Sequence, residues 1–589
     1  MQYRLYKNAN NDTSNVLKEV LKNRGIDDHH TYMNLDESVV IPYQNLDNIE
    51  EAASLFMKHF NKQNKIGVLV DEDPDGFCSA SMMYSYIKRM NKNYPVDYIL
   101  HLRAKAHGLS DDVVIPSDVK LLIIPDAGTN DTKQCEVLSE NGVDILILDH
   151  HEQEEENPYA LIVNNQMSDN YENKSLCGAG VVYRFLQSLD EENWNEFADD
   201  YLDLCALANI SDVMDMRSYE TRYFTDLGLS NINNKCFQAL IDAQNYSMND
   251  KVNIHNIQWY ITPILNGMIR IGSHEEKELL FRAFIEQYEF FEYKKRATKN
   301  KPAEIIQESI YDRVARLCGN AKSRQDKRKE KSVEAIVEIA QSIPSDDKVV
   351  MIDTSDILDA GLTGVVAIKI AEMFNKPCIL LNKFLDKETG KITYGGSARN
   401  VDHSHIDNFK DIVNSTNVFC GRGHANAFGI VDLDIDRKEE ARSVLNHILK
   451  DVEYDSTYKV DFILDVEDVS VKLITDLARF EDIICQGIEE PMLAIENISL
   501  TKDCFEIFGK NDDTVSFMID EIKYIQFKCK EGNPLYDWIQ NAWGENDSVI
   551  FNIVGKPSIN EYNGVRTPQI IIEDVVVISS DGNSTDEDW

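Results

Sequence analysis

Three apolar runs in this 589-residue chain end abruptly in an aspartate: Ile66 to Val70 before Asp71, Leu121 to Pro125 before Asp126, and Ile145 to Leu148 before Asp149. If the runs are parallel strands of one sheet, their carboxyl ends open on one crevice, where α/β sheets place their ligands. Carboxylates crowded there raise one another's pKa values, and a divalent cation is the usual reason such a cluster is tolerated. Metal-assisted chemistry is the first reading.

Asp71-Glu72-Asp73-Pro74-Asp75-Gly76 places three carboxylates at alternate positions past a strand end. Extended backbone would aim Asp71, Asp73 and Asp75 the same way, with the Pro and Gly forming a tight loop. A calcium loop needs a glutamate at its twelfth position, and here that position is Met82. Asp149-His150-His151 adds a carboxylate and two imidazoles, and Asp212 follows the apolar segment Leu204 to Ile210. Oxygen-rich ligands with few imidazoles suit Mn²⁺ or Mg²⁺ better than zinc. Two such ions about 3.5–4 Å apart can clamp the attacking and leaving oxygens of a phosphoester displacement. Asp28-His29-His30 spells the same tripeptide, but it follows Arg24-Gly25, a helix-ending pattern, and no apolar strand precedes it. No catalytic role is expected of it.

The elements that must position these residues form an α/β multidomain chain. Residues 1–60 read as a helical lead-in and 61–234 as alternating strands and helices with a parallel sheet. Residues 235–345 read as a helical connector with two basic patches: Lys294, Lys295, Arg296, Lys299 and Lys301, then Lys322, Arg324, Lys327, Arg328 and Lys329. Residues 346–452 read as a second α/β domain and 453–578 as a small β-barrel with a hairpin at Asn563-Gly564. Residues 579–589 form an acidic tail ending Asp586-Glu587-Asp588-Trp589, a solubilising segment or a docking tip. A net charge of −41 opposes nonspecific affinity for polyanions, so nucleic-acid binding must rest on local basic patches. Eleven cysteines without a Cys-x-x-Cys pair argue against a disulfide framework or a zinc ribbon. No signal peptide or membrane span is evident, so a cytoplasmic protein is expected.

Taken in order, Asp71-x-Asp73-x-Asp75-Gly76, Asp126, Asp149-His150-His151 and Asp212 resemble the DHH phosphoesterase superfamily, and more narrowly the RecJ family of single-strand-specific 5′-to-3′ exonucleases. Further segments resemble that family: Asn23-Arg24-Gly25-Ile26, Leu176 to Val181, Pro263 to Arg270 with its Asn266-x-x-x-Arg270 element, Gly361-Leu362-Thr363-Gly364, Gly423 to Gly429, and Asn560 to Gly564. The resemblance implies a parallel-sheet DHH domain, a helical connector, a DHH-associated domain and a C-terminal OB-like barrel. It implies one ion held by Asp71, Asp73 and Asp126 and another by Asp75, Asp126, His150 and Asp212, with Asp126 bridging, Asp149 supporting the site, and His151 either supporting it or steadying the transition-state charge. It also implies a 5′-phosphate grip by Ser397 and Arg399, further phosphate contacts by Arg103 and Arg270, and a histidine, His424 beside Gly423, facing the scissile phosphate.

Three positions depart from the family's pattern. Glu72 replaces a neutral residue and could alter metal preference, while Arg422 and Phe428 replace smaller residues and could narrow the cleft. In the barrel, Phe505, Phe508, Phe517, Tyr524 and Phe527 are interleaved with Lys523, Lys528 and Lys530, and half of the aromatics must fill the core. The expected function is a Mn²⁺- or Mg²⁺-dependent single-stranded DNA exonuclease in repair, recombination or replication. It is expected to be monomeric and without a membrane, with a single-strand-binding protein or helicase as a candidate partner. The rivals are a DHH phosphodiesterase of short oligonucleotides or cyclic dinucleotides and a non-catalytic replication scaffold.

Overall fold

The computed structural model describes all residues except 8, 103–106, 111–112, 296–301, 386–389, 402–405, 455–456, 510, 543, 545–546, 563 and 581–589. The chain divides into two compact units, one of residues 39–214 and 220–455, the other of residues 1–38, 215–219 and 456–589.

The first unit holds five parallel strands: β1 (Lys65–Val70), β2 (Val96–Leu100), β3 (Val119–Pro125), β4 (Asp144–Asp149) and β5 (Leu161–Asn164). Their spatial order is β2-β1-β3-β4-β5. Helices α1 (Ile49–Asn61), α2 (Pro74–Met90), α3 (Thr132–Glu140) and α4 (Gly178–Asn193) cover the sheet. Strands buried on both faces must be apolar throughout, which is why β1, β3 and β4 read as unbroken hydrophobic runs. The order reverses beside β1, and such a switch point opens a crevice at the carboxyl ends. The segment before Asp212 is a helix, α5 (Leu202–Ser211), buried nearly all round, so its apolar run has a different origin from the strands.

The connector carries α6 (Thr262–Ile271), α7 (His274–Phe284) and the long α8 (Ile310–Gln341), but it is not helical throughout. A two-stranded ribbon, β6 (Phe290–Lys295) and β7 (Glu304–Ser309), interrupts it. Lys294 and Lys295 of the first basic patch lie on that ribbon, while Arg296, Lys299 and Lys301 fall outside the described residues. The second patch lies on α8 and is largely neutralised. Lys322 pairs with Asp326, Arg324 with Glu276 at 2.9 Å, and Arg328 with Asp359 at 3.2 Å. A second five-stranded sheet follows, with β8 (Val350–Asp353), β9 (Cys378–Leu385), β10 (Ile392–Arg399), β11 (Cys420–His424) and β12 (Ala427–Asp434) in the order β11-β12-β10-β9-β8. Helix α9 (Thr363–Phe374) packs on it. Phe428 points into the core of this domain beside Phe409, with ring centroids 5.5 Å apart, so it does not narrow the cleft.

The second unit is a seven-stranded sheet ordered Phe462–Asp465, Leu493–Thr501, Ser548–Tyr562, Val565–Ser580, Ile522–Phe527, Thr514–Ile519, Glu506–Phe508. Among the described residues its two end strands do not pair, so the sheet is not closed into the expected barrel. The Ser548–Tyr562 and Val565–Ser580 strands form the expected hairpin, although Asn563 itself falls outside the described residues. The lead-in is split. Residues 39–60 belong to the first unit, whereas Tyr3–Leu5 pairs with Tyr458–Val460 and Arg24 grips the buried Asp461 carboxylate at 2.8 and 3.0 Å. Phe517 and Tyr524 stack in the core, while Phe508 and Phe527 are exposed and Lys523 lies over the Phe508 ring. The tail beyond Ser580, including the proposed docking tip, lies outside the described residues. All eleven cysteines are unpaired and only Cys504 is exposed. Among the described residues, no helix is long and apolar enough to cross a membrane.

Candidate metal centre and phosphate cleft

Extended backbone ends at Asp73, because Pro74 starts α2 and proline is favoured in the first helical turn. Asp73 caps that helix, its carboxylate accepting the Gly76 N–H at 2.8 Å. Asp75 therefore reaches the crevice from the first turn of a helix rather than from an alternating strand, which corrects the sequence expectation. Its two oxygens accept the Gly178 and Ala179 N–H groups, both at 2.7 Å, at the N-terminus of α4, where helix polarity favours an anion. Only glycine fits at 178, since a Cβ there would lie 2.4 Å from Asp126 Oδ1. Asp71 accepts the Gly108 N–H at 2.8 Å and meets His107 Nδ1 at 2.7 Å.

Asp126 follows β3 in the left-handed region, φ 65°, and its N–H donates to the Leu148 carbonyl. Neither of its buried carboxylate oxygens accepts a hydrogen bond, and neither does Oδ2 of Asp212. His150 Nε2 lies 3.2 Å from Asp126 Oδ1, 3.5 Å from Asp212 Oδ2 and 3.9 Å from Asp75 Oδ2. Ligand atoms converge within 4.8 Å in three overlapping groups: Asp71, Asp73 and Asp126; Asp75, His150 and Asp212; and Asp126, Asp149, His150 and His151. Asp149 is the best satisfied of these acids. It accepts the His150 and His151 N–H groups, His151 Nδ1 at 2.8 Å, and both the N–H and hydroxyl of Thr129. Its carboxylate holds the His151 ring and the backbone of both histidines.

The electrostatics separate the acids. Burial, then the charges of Asp75 and Asp73, pushes the Asp126 carboxyl far above the usual range, and Asp212 shifts the same way for the same causes. Burial followed by Asp73 raises Asp75 to about 7. Asp71 and Asp149 are also buried, but the facing charges of His107 and His151 outweigh burial and hold both below the usual carboxylate range. Asp71 in turn raises His107 to about 10, whereas burial and the His151 charge drive His150 well below its ordinary value. Buried carboxylates that repel one another and lack donors are what a cation would satisfy, so the donor set fits divalent metal.

A cationic pocket faces this cluster. Ser397 Oγ hydrogen-bonds Thr363 Oγ1 at 2.8 Å at the start of α9, and a Cβ on Gly364 would lie 2.7 Å from Arg399 Nη2. The second domain's chain thus brings a hydroxyl pair and a guanidinium to one helix N-terminus, a ready anion site. Burial and neighbouring Arg270 lower Arg399 to about 10. Arg270 lies on α6 with Asn266, and burial lowers its pKa against the attraction of Asp73. His424 ends β11 beside Gly423, whose φ of 120° favours glycine, and Lys410 donates to the Gly423 carbonyl and pairs with Glu152. Desolvation, then His151 and Lys410, holds His424 below its ordinary range. Arg103 falls outside the described residues. Arg422 is exposed, 3.9 Å from Glu154.

Four contacts escaped the sequence reading. His107 and His101 approach Asp71, Thr129 caps Asp149, and buried Lys277 of α7 pairs with Glu72 inside the metal loop. His101 directly follows β2, so the strand-end rule that picked out Asp71 could have found it. Lys277 gives no local signal, because its partner is 205 positions away.

Comparison with known proteins agrees with this architecture. Residues 65–209 match the DHH family, N-terminal domain, and residues 460–574 match the RecJ OB domain. The SPbeta prophage-derived protein YorK of Bacillus subtilis (strain 168), whose name places it among single-strand DNA-specific exonucleases, is 37% identical over 586 residues, covering 98% of each chain. The single-stranded-DNA-specific exonuclease RecJ of the same organism is 26% identical over 542 residues, covering 90% of this chain and 63% of that one. The crystal structure of RecJ from Thermus thermophilus in complex with Mn²⁺ superposes with a TM-score of 0.71 at 16% identity, covering 95% of this chain and 76% of that one. With sheet, strand-end carboxylates, terminal module and near-full-length similarity in agreement, the chain belongs to the RecJ family of the DHH superfamily.

Proposed function

We propose that this protein is a divalent-metal-dependent exonuclease that removes nucleotides from the 5′ end of single-stranded DNA. One observation carries the reading: the donor-starved carboxylates of Asp126 and Asp212 lie in the same unit as the neighbouring cations Arg399 and Arg270 and the Ser397–Thr363 hydroxyl pair, with Arg270 within electrostatic reach of Asp73. Such a site pairs a cation cluster with an anion pocket, as hydrolysis of a terminal phosphodiester requires. Asp71, Asp73 and Asp126 would hold one cation, and Asp75, Asp126, His150 and Asp212 the other, Mn²⁺ before Mg²⁺. Bound there, the cations supply Lewis acidity and make a water acidic enough to ionise near neutral pH.

The chain's own groups do the rest. Arg399, Ser397 and the α9 N-terminus hold the terminal phosphate, and Arg270 bridges the distance between that phosphate and the acids. Burial opposes and the Asp149 carboxylate outweighs it, so the His151 pKa lies above its ordinary value, which favours a positive charge facing the developing negative charge. His424 approaches the same phosphate from the second domain. The related exonucleases named above support single-stranded DNA as substrate, and the metal ions of the Thermus thermophilus structure support the cofactor.

The test is a 5′-phosphorylated single-stranded oligonucleotide incubated with Mn²⁺, which should release mononucleotides from its 5′ end while a circular strand stays intact. Asp126→Ala should reduce turnover below detection. Cleavage of the circle at an equal rate, or turnover by the variant, would overturn the assignment.

A further inference from the structure

The line of side chains from the phosphate pocket to the acids continues beyond them. Arg399 neighbours Arg270, and Arg270 lies within electrostatic reach of Asp73. At the other end of the same helix, Thr262 Oγ1 sits 3.2 Å from the hydroxyl of Ser211, the residue before Asp212. Helix α6 therefore runs beside the metal cluster, from the Asp212 side to the Asp73 and Arg399 side. A strand whose terminal phosphate sits in the Arg399 pocket, and whose first linkage lies at the acids, must leave past the Thr262 end.

A π-helical turn, Ile257–Ile261, leads without a break into α6. Single π turns inside helices occur frequently at functional sites. Ile257 and Ile261 anchor this turn in the core, whereas Trp259 is 63% exposed and Tyr260 36% exposed. Trp259 precedes Arg270 by eleven positions, about three helical turns, and so shares with Asn266 and Arg270 the side of the helix that serves the cleft. Its indole lies beside the His255 ring, with centroids 6.0 Å apart and the planes tilted by 46°, and the residue remains mostly exposed. An indole held in water on a rigid turn, roughly 16 Å upstream of a phosphate-facing arginine, is placed to stack on a base.

We infer that Trp259 is a stacking platform for a nucleobase of the uncleaved strand as it leaves the cleft. The inference rests on the proposed nuclease function. It adds a contact that reads no sequence, since every base offers a π face, and that keeps the strand in line while successive nucleotides are removed.

The experiment measures binding rather than turnover, using the full chain in the Asp126→Ala background and fluorescence anisotropy of a 5′-phosphorylated, 3′-labelled oligonucleotide. Trp259→Ala should weaken binding about five- to a hundredfold, and Trp259→Phe should restore most of it. A single abasic residue moved base by base along the oligonucleotide should weaken binding to the parent by a similar factor at one or two adjacent positions. That penalty should vanish in Trp259→Ala. Equal binding by Trp259→Ala and its parent, or an abasic penalty that persists unchanged in the variant, would overturn the inference and leave the nuclease reading intact. A parent that binds no single strand at all would overturn both.

Discussion

The tripeptide Asp-His-His occurs twice in this chain, and the two copies do different things. In Asp28-His29-His30 the aspartate is exposed and caps a four-residue helix, accepting the Thr31 N–H at 3.0 Å and the Thr31 hydroxyl at 2.6 Å. In Asp149-His150-His151 the aspartate is 1% exposed and binds five donors, the His151 ring among them, while His150 Nε2 lies 3.9 Å from Asp75, 3.2 Å from Asp126 and 3.5 Å from Asp212. Identical side chains thus make a cap in one place and part of a buried cluster of candidate metal ligands in the other. The difference lies in what precedes them. A buried parallel strand delivers the second copy to the open end of a sheet where other acids arrive, and nothing delivers the first.

Breaking the buried copy should have the largest effect. Asp149→Ala leaves the Thr129, His150 and His151 N–H groups without an acceptor, at about 1–3 kcal/mol for each buried donor. A large fall in melting temperature should accompany loss of activity. Asp149→Asn keeps the shape but weakens the grip on the histidines, and activity or metal affinity should drop about 10- to 100-fold, as measured by Mn²⁺ titration.

The next largest effect should come from the loop beside that site. Lys277→Met removes the buried cation that pairs with Glu72, and breaking a buried pair this way costs about 3–5 kcal/mol. Denaturant unfolding reads that loss. A Glu72→Gln/Lys277→Met double variant should recover most of it, because the buried carboxylate charge is gone. A double variant as unstable as the single one would count against the pair as the cause.

Acidity sharpens the contrast further. Asp75, Asp126 and Asp212 have raised pKa values in the fold. Between the ordinary carboxylate value of about 4 and the value of about 7 for Asp75, these three carboxyls therefore hold more protons in the metal-free native protein than in the unfolded chain, outnumbering His150 and His424, whose lowered values act in the opposite direction up to about 6.5. Stability without metal should fall as pH rises through that window. His107, raised to about 10, adds a loss in the same direction above about 6.5. Mn²⁺ should displace the protons, so its stabilising shift in melting temperature should grow with pH. A metal-free protein that gains stability across the window would contradict this account. The smallest effect belongs to the exposed copy. Asp28→Ala removes a helix cap, so it should lower the melting temperature only slightly and leave turnover unchanged.

The strand-end acids were legible because a parallel strand covered on both faces has to be apolar, and the run ends where the crevice begins. The rest of the site was legible in part. Asp75 was identified in the right loop, but its position in a helical turn depends on the Gly178 and Ala179 amides, 103 and 104 positions away. The basic residues of α8 read as a cationic patch, yet three of them meet acids in the fold. Phe428 read as a cleft residue, and its strand turns it into the core. Alternation marks two faces of a strand without saying which is inward, so only the folded sheet separates the buried Phe517 and Tyr524 from the exposed Phe508 and Phe527.

By itself, the sequence determined the parallel sheet and the acids at its open end, because burial writes a periodic signature into each element. Tertiary structure alone decided which carboxylates lack donors, that Lys277 pairs with Glu72, that Tyr3–Leu5 pairs with Tyr458–Val460 in a two-stranded sheet, and that Trp259 stands clear of the core. Each of those facts joins or separates residues from different elements, and a hydrophobic pattern records whether a side chain is buried without recording its partner.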